Sequence, residues 1–349
     1  MSFSSVSGRP TMKDVARLAG VAQSTVSLVV NGDDRVAPET RINVQKAIEK
    51  LGFRVNRAAQ DLRRVRNQSI GLVTNLMSGS GFPGQLVLGA QEAAFRSNHT
   101  VLVLDAGEGT ELSEDAIQYL VEHDVGGLIY APMTPSWTAL PQKLRNVPSV
   151  HINNDIVRIE EFAQVSAGDV EGGQIAARAL TDAGHRRILF INGSPRNQIV
   201  KMRERGFRDV LSEFPIGTFD LKIIYAGSEI RSGYEAMKSV LDAGQWMPTA
   251  IFANSDKSAL GAVQALAEKG LKVPEDVSII AYESQTQLSA LAQPAISCVV
   301  TPYQEMGKMA VDLLLEDPEH QMDSIVRHAK PRLVARESVR TIPSGTSLI

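Results

Sequence analysis

Residues 21–32, "VAQSTVSLVVNG", decide how the rest of the chain is read. Val26, Val29 and Val30 recur at helical spacing and would bury one face of a short helix. Its opening residues, Gln23, Ser24, Thr25 and Ser27, are instead short, uncharged and hydrogen-bonding. Upstream, "TMKDVARLAG" (11–20) has the marks of another helix. Thr11 can cap it, Asp14 completes a capping-box-like pair, Gly20 ends it, and Val15, Leu18 and Ala19 form its apolar stripe. Downstream, "RVAPETRINVQKAIEKLG" (35–52) puts Pro38 at a first helical position and offers Ile42 or Val44, Ile48 and Leu51 for burial. Three short helices around one small core, the second entered by a tight turn, form the helix-turn-helix pattern. In that pattern the second helix enters the major groove, where Gln matches adenine and Ser or Thr serves bases or phosphates. A small polar-faced helix that binds nothing would carry the same pattern.

Charge separates this head from the rest of the chain. Residues 1–66 carry 12 Lys/Arg against 6 Asp/Glu, whereas the remainder carries 24 against 33, giving the net charge of -3. A basic head on an acidic body implies that the head alone meets a polyanion. The tether "FRVNRAAQDLRRVRNQ" (53–68) is basic and long enough for a turn or two of helix capped by Asn56. Ala58 and Ala59 give it a small face, and Leu62 stands alone among Arg57, Arg63, Arg64 and Arg66. An apolar wedge among arginines suits minor-groove kinking, and equally a solvated linker whose leucine packs on the body.

With 349 residues there is room for two or three domains. From Ser69 onward β-rich runs alternate with amphipathic stretches. Strands are expected at 69–75, 100–106, 126–132, 148–153, 186–193, 222–227, 249–254 and 276–282. That alternation implies parallel sheets covered on both faces. Too many strands for one sheet, with "FAQVSAGD" (162–169) midway, argue for two similar α/β lobes, whose ligands would sit beyond the carboxyl ends of the strands. No apolar run approaches membrane-spanning length and the first residues lack a signal-peptide core, so a cytoplasmic protein is expected. The one cysteine, Cys298, lies in the apolar run "SCVV" and is expected to be buried.

Enzyme and cofactor chemistry find little support. Gly79, Gly81 and Gly84 in "GSGFPG" are spaced as G-x-G-x-x-G, with Asp105 ending the next strand. Pro83, however, stands where a helix would present N–H groups to pyrophosphate, so a loop at the rim of a cleft is expected and no cofactor. The six histidines are scattered without metal-ligand spacing, and no G-x-S-x-G occurs, so neither a metal nor a catalytic residue is expected.

The segments "TMKDVARLAGVAQSTVSLVVNG", "VAPETRINVQKAIEKLGF", "NRAAQDL", "TDAGHRRILFING", "RERGF", "ALGAVQAL", "DVSIIAYE" and "ARESV", in that order, resemble the lactose/galactose repressor (LacI/GalR) family of bacterial transcription regulators. The resemblance implies an all-α helix-turn-helix head at 10–55, a hinge helix and linker at 56–68, and a core at 69–340. That core would be α/β, two Rossmann-like lobes of the periplasmic-binding-protein type. The N-lobe would span about 69–165 and 300–325, and the C-lobe about 166–299 and 326–340. It implies a repressor, not an enzyme, that binds a pseudo-palindromic operator in double-stranded DNA as a homodimer or tetramer, under a small polar, sugar-like effector. DNA contacts would come from Thr11, Gln23, Ser24, Thr25, Ser27, Leu28, Asn31, Asn56, Arg57, Ala59 and Leu62. Effector contacts would come from Phe82, Asn153, Arg203, Ser255, Asp256, Glu283 and Tyr303. The chain departs from the family's pattern in that Leu28 replaces a frequent Arg, Val55 a frequent Pro, and Asn153, Ser255 and Glu283 the usual Asp, Asn and Asp.

Overall fold

The computed structural model describes residues 10–30, 36–51, 68–74, 82–106, 110–132, 141–152, 162–215, 217–282, 288–316 and 325–343. The chain divides into two compact units, 1–67 and 68–349.

The described part of the first unit holds α1 (Met12–Ala19), α2 (Gln23–Val30) and α3 (Pro38–Leu51). Thr11 caps α1 in a capping box with Asp14, and Gly20 ends it in the left-handed conformation (φ 69°) that glycine adopts without strain. Val15, Ala16, Val26, Val29, Val36, Val44 and Ala47 form the core, and Val21, Leu28, Ile48 and Leu51 pack against it half-buried. The apolar stripe of α1 therefore differs from expectation at one place, and on α3 one of the two alternatives is taken. Leu18 is 44% exposed and Ala16 takes the buried position beside Val15, while Ile42 is 50% exposed and α3 is seated by Val44. A core this small fills with small side chains, and the larger apolar ones are left at its rim.

The second unit contains two six-stranded sheets. The strands of the first are β1 (Ser69–Thr74), β2 (Thr100–Asp105), β3 (Gly127–Ala131), β4 (Ser149–Ile152), β5 (Ala163–Ser166) and β11 (Val326–His328). Their order is β11-β5-β4-β3-β1-β2, all parallel. The second holds β6 (Arg187–Asn192), β7 (Asp220–Tyr225), β8 (Ala250–Ala253), β9 (Ser278–Tyr282), β10 (Ser297–Val300) and β12 (Arg332–Val334). Its order is β12-β10-β9-β8-β6-β7, with only β12 antiparallel. Both sheets thus place their first strand between the second and third, the doubly wound arrangement whose ligand crevice lies where strand order reverses.

The flanking helices are α4 (Phe82–Arg96), α5 (Thr110–Glu122), α6 (Asp169–Asp182), α7 (Gln198–Leu211), α8 (Ile230–Ala243), α9 (Asp256–Glu268), α10 (Leu288–Leu291) and α11 (Tyr303–Leu315). Three pairs of them, α4 with α11, α6 with α7, and α8 with α9, cross through reciprocal glycines. In the second pair a Cβ on Gly173 would stand 2.1 Å from the Arg203 carbonyl oxygen, and one on Gly206 would stand 1.9 Å from that of Val170. No other residue permits these backbones to approach so closely.

The chain passes between the sheets three times, after Ser166, after Val300, and between His328 and Arg332. The last crossing lies beyond the expected bound of 325 because Val326–His328 pairs with Gln164–Ser166 of the first sheet. The midway segment is likewise a strand of that sheet, its Gln164 and Ser166 buried. Cys298 is fully buried in the second sheet. Helix α4 begins at Phe82, so Pro83 falls in its first turn; Gly79 and Gly81 lie outside the described residues.

Candidate DNA-reading and effector sites

On the head, Gln23 and Ser24 are exposed at the first turn of α2 and Thr25 is half-buried. The turn is closed by Thr25 N and Val26 N donating to Ala22 O (3.0 and 3.2 Å). Two predicted contact residues have structural work as well. The Thr11 hydroxyl donates to Asp14 Oδ2 (2.6 Å), and this bond, with the Thr11 N–H, holds the Asp14 carboxyl below its usual pKa. Leu28 packs half-buried on the core instead of standing clear of it. Asn31, Asn56, Arg57, Ala59 and Leu62 lie outside the described residues, as does the side chain of Ser27.

In the second unit the carboxyl edge of the second sheet collects most of the polar candidates. Arg203, mid-way along α7, is buried. Its Nε donates to Asp169 Oδ1 at 2.7 Å, and its guanidinium lies 3.8 Å from the centroid of the Tyr282 ring. Tyr282 is the last residue of β9, and its hydroxyl donates to the same Asp169 oxygen at 3.5 Å. Asp169 opens α6, and Gly172 one turn later leaves room for the phenol, since a Cβ there would stand 2.0 Å from Tyr282 Oη. A desolvated guanidinium is tolerated here because a carboxylate and an aromatic face compensate it.

Beside this cluster, where β6 and β8 adjoin, lie Asn192 and Asn254, which the sequence pattern did not single out. With the Asn254 amide oriented to satisfy its neighbours, Nδ2 donates to Gly227 O (3.0 Å) and Oδ1 accepts from Gly193 N (3.2 Å) and Ser228 Oγ (2.9 Å). Asn192 Nδ2 donates to Glu204 Oε2 at 3.2 Å. A polar residue directly after an apolar strand of a doubly wound sheet was the signal available. Ser255 caps α9: its hydroxyl accepts from Ser258 N (3.0 Å) and donates to Ser228 O (2.6 Å), so its single proton is committed to backbone. Asp256, fully buried at the start of α9, accepts from Lys257 N at 2.8 Å. Tyr303 opens α11 and packs in the apolar core of the first lobe. Asn153, Glu283 and the side chain of Phe82 lie outside the described residues. A groove of about 390 Å³ runs along the solvent face of α7 past Lys201, Glu204 and Arg208, and Arg203 on the opposite face takes no part in it. Among the described residues no group of three or more His, Cys, Asp or Glu could hold a metal ion.

Comparison with known proteins bears on both sites. Residues 11–56 match the family of bacterial regulatory proteins, lacI family, and residues 177–339 match the periplasmic binding protein-like domain. The ribose operon repressor of Haemophilus influenzae is 29% identical over 335 residues, 95% of this chain and 99% of the relative. The HTH-type transcriptional repressor PurR of Histophilus somni is 30% identical over 346 residues, with the same coverage. Among solved structures, the lac repressor dimer bound to operator and the anti-inducer ONPF superposes with a TM-score of 0.79 at 26% identity, covering 95% of this chain and all of that one. The complex of the transcriptional regulator CelR with cellobiose superposes with a TM-score of 0.67 at 29% identity, with the same coverage.

Proposed function

The chain belongs to the lacI family of bacterial regulatory proteins, and from that premise we propose how its residues carry out ligand-controlled repression of transcription. The head binds operator DNA through α2. Gln23 and Ser24 face base edges, Thr25 and Ser27 stand nearer the backbone, and Asn31 with the basic tether contacts phosphates. The observation that carries this reading is the exposed Gln23–Ser24 turn on a helix whose other face, Val26 and Val29, is locked in the head's core.

The protein acts as a homodimer. Leu88 and the 83% exposed Phe95, two turns apart on one face of α4, offer apolar surface to a second copy. Two heads then read a pseudo-palindrome, and paired hinge segments around Asn56, Arg57 and Ala59 present Leu62 to the minor groove. The effector is a small polar, sugar-like molecule, held at the carboxyl edge of the second sheet by Arg203 and Asp256, with Asn153, Glu283, Phe82 and Tyr303 completing the site. Because Asp169 already neutralises Arg203, the guanidinium suits uncharged hydroxyls better than it suits an anion. Cellobiose, the ligand in the CelR structure, is of that class. Effector binding changes the relation of the lobes and so the spacing of the two hinges. A differential affinity of about 1–3 kcal/mol between the two states suffices to move operator occupancy severalfold. Repression takes place in the cytoplasm, where the operator is, and among the described residues no helix is long and apolar enough to cross a membrane.

Footprinting on the DNA around the protein's own gene tests the reading, together with a thermal-shift screen of sugars, sugar acids, polyols and nucleobases on the full chain. Protection of a pseudo-palindrome that one such compound relieves or strengthens is the expected result. No preference for any genomic fragment over random competitor would refute it.

A further inference from the structure

The helix assigned to base reading carries no charge at all. All eight residues of α2, QSTVSLVV, are uncharged. Of these, Val26 and Val29 are buried and Leu28 packs half-buried on the same core, so the fully exposed side chains on its described surface are Gln23 and Ser24. The head's described cations stand on other helices: Lys13 and Arg17 on α1, the latter 3.3 Å from the Asp14 carboxylate, and Arg41, Lys46 and Lys50 on α3.

Base chemistry turns this into a statement about sequence. In the major groove guanine shows only acceptors, O6 and N7, and its discriminating partner is the donor fork of Arg or the ammonium of Lys. Adenine shows a donor, N6–H, beside an acceptor, N7, the pattern that a carboxamide complements with one oxygen and one NH₂. A serine hydroxyl can donate or accept and so tolerates either base. Leu28, held against the core, presents no donor.

We infer that Gln23 specifies an adenine in each operator half-site and that α2 makes no guanine-specific contact. The base pairs facing α2 are then selected as A·T at the Gln23 position and only weakly elsewhere, while cations outside α2 supply affinity through phosphates. This inference rests on the proposed role of α2 as the base-reading helix.

The test uses the full chain and random duplexes enriched by repeated binding, followed by fluorescence anisotropy at a fixed salt of about 150 mM. In the enriched site each purine is replaced in turn by its 7-deaza analogue, which removes the N7 acceptor and leaves base pairing intact. Expected is a symmetric pair of adenines, one per half-site, whose replacement weakens binding about fivefold or more, with guanine replacements beside them changing it less than about twofold. In Gln23→Ala the sensitivity to 7-deazaadenine disappears. An enriched site that instead loses affinity on 7-deazaguanine replacement beside that position overturns this inference alone. So does a Gln23→Ala protein that keeps its adenine sensitivity. Failure of any duplex to enrich overturns both the inference and the function on which it stands.

Discussion

Asp169→Asn puts the Arg203 cluster to a quantitative test. The two side chains of the pair, Arg203 and Asp169, are 8% and 2% exposed and meet at 2.7 Å, with the guanidinium covered on one face by the Tyr282 ring at 3.8 Å. Replacing carboxylate by amide leaves an acceptor for Nε but removes the Asp169 charge that compensates the buried guanidinium. Breaking buried pairs by loss of one partner costs about 3–5 kcal/mol. Since the amide oxygen keeps one hydrogen bond, the loss here falls near the lower figure, about 3 kcal/mol. Urea denaturation of the full chain, followed by tryptophan fluorescence, reads it. The double variant Asp169→Leu with Arg203→Met removes both charges and keeps apolar bulk. It is expected to lie within about 1 kcal/mol of the parent, because such replacement of a buried pair is often neutral or stabilising. A single variant within about 0.5 kcal/mol of the parent would show that solvent reaches the pair. A double variant as unstable as the single one would show that shape, not charge, holds the cluster together.

Other contacts give further expected outcomes. Gly206→Ala forces a Cβ to within 1.9 Å of Val170 O, so α6 and α7 must separate at a cost of about 1–3 kcal/mol or more, whereas Gly84→Ala, with nothing within 4 Å, is neutral or stabilising. Thermal melts compare the two. His151 is fully buried, its Nδ1 has no partner among the described residues, and burial lowers its pKa to about 4. The unfolded chain therefore binds a proton that the folded one refuses between pH 6.5 and about 4. Stability falls as pH drops through that window, by at most about 1.4 kcal/mol per unit, and His151→Leu flattens the slope. His185, also lowered to about 4 by burial, adds a slope of the same sign. Leu62→Ala weakens specific operator binding much more than binding to random duplex in anisotropy titrations; equal losses would remove the wedge role.

Sequence periodicity located eight of the twelve described strands, most of them near-continuous apolar runs, because parallel strands covered on both faces must be apolar throughout. It passed over β5, whose Gln164 and Ser166 are buried polar residues beside a crossing, the four-residue β10, and the three-residue β11 and β12, too short to carry a pattern. In the head, spacing offered Leu18 and passed over Ala16, and it left Ile42 and Val44 as alternatives; only the space available in the core chose Ala16 and Val44. The site shows the same division. Arg203 stood out in "MRERGF", but its partners lie 34 positions before it and, at Tyr282, 79 positions after it. They meet only because Gly173 and Gly206 let two helices touch backbone to backbone. That concealed partnership changes how Arg203 must be tested. Arg203→Ala would strip Asp169 of its counter-charge, and a lost effector response would then be indistinguishable from a damaged lobe. Arg203→Lys keeps the charge and gives up the planar fork. A variant of this kind that binds operator and melts within about 1 kcal/mol of the parent, yet no longer responds to the effector, separates recognition from packing. One that folds and still responds with undiminished sensitivity would exclude the guanidinium from the effector's contacts.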